Sequence, residues 1–170
     1  VIDGNKVLQN DIAFSIELKD VWFKYPGTEV WVLKGINLKI PSMDDVALVG
    51  KNGAGKTTII KLILRIYDPD KGDILINGEN IKKLKLEDYY KTIGILSQMF
   101  NTYRITAWEN IYIGNVESEI DKTKIQEAAI SARADEFIQK YPQKYDTYLT
   151  RELKDGTLPS GGQWQRLGIA

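Results

Sequence analysis

The chain has 170 residues, 43% hydrophobic and 27% charged, which is the composition of one ordinary globular domain or of one domain in two lobes. It contains no Cys and no His, which excludes disulfides, thiol nucleophiles, thiolate or zincin-type metal sites and Ser-His-Asp triads. Lys plus Arg is 23 and Asp plus Glu is 23, so the basic excess of most nucleic-acid binders is missing, and there is no run of 18 apolar residues to span a membrane. Any chemistry must rest on carboxylates, lysines, hydroxyls, backbone amides or a bound metal. The first residue is Val1 rather than Met and no secretory signal follows, so the sequence reads as a piece of a longer protein.

Residues 1–13 are polar and irregular and read as a linker. Phe14, Ile16 and Leu18 then alternate with polar residues, and Val21, Phe23 and Tyr25 continue with a period of two before Pro26-Gly27 turns the chain. Val30 to Ile40 predicts a further strand, so a small antiparallel sheet of three strands is expected at the start. Val46-Ala47-Leu48-Val49 predicts a strand buried on both faces, and an apolar helix is expected over Lys56 to Ile66, stopped by Asp68-Pro69-Asp70. Asp73 to Asn77 and Ile93 to Leu96 are further short strand candidates. Lys82, Lys83 and Lys85 read as a solvated face. Beyond Gln98 the pattern turns helical. Thr106-Ala107-Trp108-Glu109 fits a capping box, and two helical periodicities follow, Ile125 to Ala132 and Phe137 to Tyr141, the second ended by Pro142.

The chemistry concentrates in Gly50-Lys51-Asn52-Gly53-Ala54-Gly55-Lys56-Thr57-Thr58, a phosphate-binding P-loop pattern set between a predicted strand and a predicted helix. Glycines let backbone amides approach phosphate without a Cβ in the way, and the helix start adds a positive dipole end. In this pattern Lys56 contacts the β- and γ-phosphates and the Thr57 hydroxyl ligates Mg²⁺. A second motif, Ser160-Gly161-Gly162-Gln163, opens another predicted helix. Alone it fits a phosphate-binding helix start, and an ordinary capping box somewhat better.

A P-loop followed 105 residues after Gly55 by Ser160-Gly161-Gly162-Gln163 resembles the nucleotide-binding domain of an ATP-binding cassette (ABC) transporter. The order of parts between the motifs is similar too: Tyr25 matches the aromatic that stacks on adenine, and Gln98 matches the glutamine that touches Mg²⁺ and the attacking water. Asp68 to Ile74 with Asn77-Gly78, and the stretch Asn101 to Ile111, look most like exporters, whose cassette is fused behind membrane helices. Outside that pattern Tyr25 would be a half-buried aromatic and Gln98 unremarkable; Trp22, Trp31, Trp108 and Trp164 read as packing residues.

The resemblance implies an α/β P-loop NTPase cassette. Its expected parts are an antiparallel β subdomain over 14–45, a partial RecA-like P-loop core over 46–98 and an α-helical subdomain over 99–170. It implies ATP and Mg²⁺ as cofactors, with Lys56 and Gln98 catalytic and Thr57 and Gln98 at the metal. Tyr25, Gly50 to Thr58 and Ser160 to Gln163 would bind nucleotide. It also implies a second cassette and a transmembrane domain as partners, no nucleic acid, and a place on the cytoplasmic face of the cell membrane.

Two features depart from the family in detail: Pro159 stands where a Leu usually leads the signature, and Asp146 to Ser160 is slightly long. A third departs in substance. The family's Walker B strand ending in Asp-Glu, which holds Mg²⁺ and polarises water, and its switch His have no counterpart in these residues, so little or no ATP turnover is expected from this chain alone. A soluble ABC ATPase of DNA repair or translation and a degenerate, binding-only cassette are the alternatives. A P-loop GTPase or kinase would leave Ser160 to Gln163 unexplained and lacks an Asn-Lys-x-Asp base-reading motif.

Overall fold

A computed structural model describes residues 1, 3–7, 14–116 and 119–170. Residues 2 and 8–13 of the expected linker lie outside the described residues. The chain divides into two compact units, Val1–Ile93 and Gly94–Ala170.

The first unit is built on one antiparallel sheet in which β1 (Ile16–Phe23) is flanked by β2 (Leu33–Ile40) and β3 (Lys71–Ile76), with the short β4 (Glu79–Asn80) beyond β3. The two alternations read in the sequence belong to this single strand β1. They are out of phase because the ladder shifts register between Leu18 and Val21, where Asp20 takes φ 47°. The Asp20 amide donates to Asn37 Oδ1 at 3.0 Å and its carboxylate accepts from Trp22 Nε1 at 2.9 Å, which holds the bulge. Leu18, Val21 and Phe23 therefore all point into the core. The expectation of three strands before residue 45 is corrected: two form there, and β3 arrives later in the chain to pair with the other edge of β1. Asn77 and Gly78, both at positive φ, make the tight turn from β3 into β4.

The expected strand at Val46–Val49 does not form. Val46 is 47% and Val49 92% exposed. A strand exists only through its backbone partners, and among the described residues no segment pairs with this one, so β propensity alone leaves it unladdered. Residues 93–96 likewise carry no strand, with Ile95 exposed.

Helix α1 (Lys56–Ile63) covers the sheet, burying Ile59 and Leu62 at the helical spacing, each burial contributing roughly 1.5–3 kcal/mol. It stops earlier than Ile66, and the agent is Arg65 rather than Pro69. Arg65 sits at φ 53°, its amide donating to Leu62 O at 3.0 Å while the Ile66 amide reaches Lys61 O at 2.9 Å, the hydrogen-bond pair of a Schellman stop. A non-glycine tolerates that backbone because its side chain is held. The buried guanidinium donates to Leu84 O at 2.8 Å and Lys82 O at 3.1 Å and lies 3.5 Å from Asp68 Oδ1. Tyr89, on α2 (Leu86–Lys91), donates its hydroxyl to Ile63 O at 2.7 Å and so satisfies a carbonyl at the end of α1; burial drives this phenol well above its ordinary pKa. Of the leading residues, Lys6 bridges in parallel to Leu84, and the Asp3 carboxylate accepts from the Leu86 amide at 2.8 Å.

The second unit is helical: α3 (Ala107–Tyr112), α4 (Lys122–Ser131), α5 (Asp135–Ile138) and α6 (Gly161–Ile169). The capping box expected at Thr106 is present. The Thr106 amide and hydroxyl both donate to Glu109 Oε2, at 2.8 and 2.6 Å, and the Glu109 amide donates to Thr106 Oγ1 at 3.4 Å. Those donors hold the Glu109 carboxyl below its ordinary pKa, the Thr106 hydroxyl most of all. Ile125 and Ala129 of α4 pack with Phe137, Ile138 and Leu167 in one core. Trp108 and Trp164 lie half-buried against it, the packing role expected for them.

Candidate functional site

The loop from Gly50 to Gly55 leads into α1 with Gly53 at φ 82° and Gly55 at φ 87°, a region that side-chain-bearing residues rarely adopt. Gly55 is doubly constrained, since a Cβ there would meet Leu33 Cδ2 at 2.6 Å. Nothing lies within 4 Å of the Cβ position of Gly53, so that face of the loop is open. Helix α1 starts without help from side chains: Gly55 at its N-cap supplies no acceptor, and its first turn holds no Asp or Glu. Its leading amides are therefore free for an anion. Lys56 bends back over the loop, donating from Nζ to Gly50 O at 2.7 Å and Lys51 O at 2.9 Å. Lys51, Asn52, Ala54 and Thr57 are exposed and Thr58 is buried. Open amides, a helix dipole and one ammonium group fit a polyphosphate.

Tyr25 follows β1 and opens the turn Tyr25-Pro26-Gly27-Thr28, where the Thr28 amide and hydroxyl donate to Tyr25 O at 3.1 and 3.0 Å. Its ring stands edge-on to Phe23 (centroids 5.1 Å, 80°) and to Tyr67 (5.5 Å, 87°), with Lys61 Nζ 5.3 Å from its centroid. The hydroxyl meets Thr58 Oγ1 at 3.0 Å, which ties Tyr25 to the P-loop helix. Beside it opens a cleft of about 440 Å³ lined by Tyr25, Gly27, Thr28, Tyr67 and Asp70. Tyr67 and the Thr58 contact had no signal in sequence: one is an aromatic among nine tyrosines, the other a hydroxyl inside a motif whose chemistry points to phosphate.

In the second unit, Ser160 caps α6. Its Oγ accepts from the Gln163 amide at 3.3 Å, and Gln163 Oε1 accepts from the Ser160 amide at 2.9 Å, so the capping-box reading of this motif holds. Pro159 lies buried just before the cap, outside the helix, where its missing amide costs nothing. Gly161 and Gly162 are exposed with nothing within 4 Å of their Cβ positions, so the surface they present stays open. Gln98 is exposed in a bend. Its neighbours Ser97 and Met99 line a cavity of about 370 Å³ together with Trp164, Leu167 and Gly168, so the Gln98 segment and the signature helix share one wall. The approach is close: a Cβ on Gly168 would meet Leu96 Cδ1 at 2.8 Å.

Among the described residues no three Asp or Glu side chains gather to hold a metal. A divalent cation at the P-loop would take the Thr57 hydroxyl and complete its shell from phosphate oxygens. No helix among the described residues is long and apolar enough to cross a membrane.

Residues 33–170 match the family described as ABC transporter. Over 171 residues and the whole chain, the sequence is 42% identical to "ABC transporter B family member 29, chloroplastic" of Arabidopsis thaliana, of which it covers 26%. It is 38% identical over 168 residues to the "ATP-dependent lipid A-core flippase" of Escherichia coli K12, with 99% of this chain and 28% of that protein covered. Among solved structures, a bacterial Atm1-family ABC exporter with ATP bound superposes with a TM-score of 0.79 at 31% identity, over 98% of this chain and 28% of that one. The chain thus spans about a quarter of the length of the curated relatives it matches. With its P-loop, its Ser160-capped signature helix and this match over most of its length, the chain belongs to the ABC transporter family.

Proposed function

We propose that the chain is the ATP-binding cassette of a membrane exporter and that it works as one of a pair. The observation that carries this reading is the loop before α1, which offers uncapped amides and a folded-back Lys56 to a polyphosphate in a chain of this family. Gly50 to Thr58 would cradle the phosphates and Tyr25 would stack on adenine. Thr57 would hold Mg²⁺, which neutralises phosphate charge when bound. Ser160 to Gln163 would close over the γ-phosphate of an ATP held by a second cassette, and Gln98 would orient the attacking water. Positioning and charge neutralisation would do most of the catalytic work, as phosphoryl transfer requires. Closure of the pair would drive membrane helices of the same or a partner chain, with the cassettes on the cytoplasmic face.

The same reading assigns the 170-residue chain nucleotide binding without turnover, because its sequence holds no His and no apolar run ending in Asp-Glu. Saturable ATP binding with phosphate release at the buffer rate is the expected result. Release that disappears in Lys56→Ala would contradict it. In the longer protein, Lys56→Ala is expected to abolish transport, and unchanged transport would overturn the cassette assignment.

A further inference from the structure

The leading residues are fastened to the first unit by groups far away in sequence. The Lys6 amide donates to Lys83 O at 2.9 Å, the Lys85 amide donates to Lys6 O at 2.9 Å, and the Lys6 ammonium group pairs with Glu79. Gly4 lies against the same stretch so closely that a Cβ there would run into Lys83 O and meet Leu84 O at 2.6 Å. Helix α2 starts with Lys85 at its N-cap, which supplies no side-chain acceptor; the Asp3 carboxylate takes that part, accepting from the Leu86 amide at 2.8 Å across 83 positions of sequence. The other side of this stretch faces the end of α1. The carbonyls of Lys82 and Leu84 accept from the buried Arg65 guanidinium, on the residue that stops the helix. Helix α2 reaches the same place a second way, through the Tyr89 hydroxyl on Ile63 O at 2.7 Å. Residues 82–89 are thus held by the leading segment on one side and by the end of α1 on the other.

We propose that residues 3–6 are a strap whose docking tightens the end of α1, through the Lys82 and Leu84 carbonyls on Arg65 and through α2 and Tyr89. A docked and a released strap are the two states that such coupling requires. Asp3 and Lys6 are exposed and hold by hydrogen bonds and an ion pair rather than by apolar burial, so release costs far less than unfolding the sheet. The fastening needs no nucleotide and goes beyond the reading of the P-loop. Under that reading, a displacement of membrane helices preceding the cassette would reach the far end of the P-loop helix by this route.

The test follows amide hydrogen exchange in the full chain without nucleotide, so its outcome is independent of whether the P-loop binds ATP. Gly4→Val, which forces a side chain against Lys83 O, is expected to speed exchange at Lys85 and Leu86 about tenfold or more and at Arg65 and Ile66 about three- to tenfold, leaving the β1–β2 ladder unchanged. Asp3→Ala removes one bond and should speed exchange at Leu86 about three- to tenfold, with a smaller rise at Arg65 and Ile66, whereas Asp3→Asn, which still caps, should keep the protection. Coupling acts in both directions. Arg65→Gly keeps a residue suited to the left-handed stop and removes the guanidinium, so it should speed exchange at Lys6 and Lys85. Faster exchange at Lys85 and Leu86 with Arg65 and Ile66 unmoved would overturn the proposal by making the segment a passive tie, and unmoved exchange at Lys85 and Leu86 would overturn it by removing the strap. If Gly4→Val loosens the ladder as well or fails to fold, Asp3→Ala and Asp3→Asn decide by the same readings.

Discussion

Two helices of this chain start on glycine-rich turns, α1 after Gly55 and α6 after Ser160, and their leading amides are satisfied in opposite ways. At α6 the side chains of Ser160 and Gln163 close a reciprocal pair of hydrogen bonds, and the helix start is complete as it stands. At α1 no side chain accepts, the N-cap is a glycine at φ 87°, and Lys56 bends back over the loop. Glycine-rich sequences at both starts thus conceal different electrostatics. The α1 start has amides and an ammonium group suited to an anion, whereas α6 starts on a closed cap beside two exposed glycines with open space at their Cβ positions.

The largest effect expected from this contrast is at Lys56. Lys56→Ala removes the ammonium group that bends over the loop and should weaken ATP binding about 10- to 100-fold, as loss of a charge-assisted contact does, with thermal stability little changed. Titration calorimetry beside a melting curve checks both halves, and near-normal affinity would place the phosphates elsewhere. Next in size is a paired glycine test. Gly55→Ala forces a Cβ against Leu33 at a left-handed backbone and should cost about 1–3 kcal/mol of stability. Gly161→Ala meets nothing within 4 Å inside a helix and should be neutral or slightly stabilising. Equal costs in denaturant unfolding would erase the distinction between the two turns.

The smallest effect separates the two capping boxes of the second unit. The α3 box is closed by the Glu109 carboxylate, whose pKa is held down chiefly by the Thr106 hydroxyl and also by its amide; the α6 box is closed by the uncharged Gln163. A depressed carboxyl contributes stability that is full above its unfolded pKa and is lost as pH falls through the folded value. Stability should therefore decline as pH falls below the ordinary carboxylate range, and Glu109→Gln should flatten part of that decline while still capping α3. Parallel acid titrations of the two proteins would contradict this assignment.

Much of this architecture was legible in the sequence because it is local. Both capping boxes, the P-loop and the Pro26-Gly27 turn depend on residues a few positions apart, and each forms as expected. Other features are tertiary and escaped it. Val46 to Val49 has the composition of a buried strand, but composition cannot supply a ladder partner. The end of α1 is set by Arg65, whose unfavourable backbone is held by carbonyls about 20 residues away, at Lys82 and Leu84. At the site, the motif pointed to the residues proposed to bind phosphate; it was blind to the bond from Tyr25 to Thr58, which spans 33 positions with no periodicity to announce it.

The central claim is that the loop from Gly50 to Thr58 binds the phosphates of ATP. The most direct measurement is a map of backbone amide chemical shifts of the chain as ATP is added, repeated with Lys56→Ala. Saturable shifts concentrated at Gly53, Gly55, Lys56 and Thr57, with a smaller set around Tyr25 and both lost in the variant, are the predicted result. Saturation with the loop amides unmoved, or shifts that persist in Lys56→Ala, would contradict it.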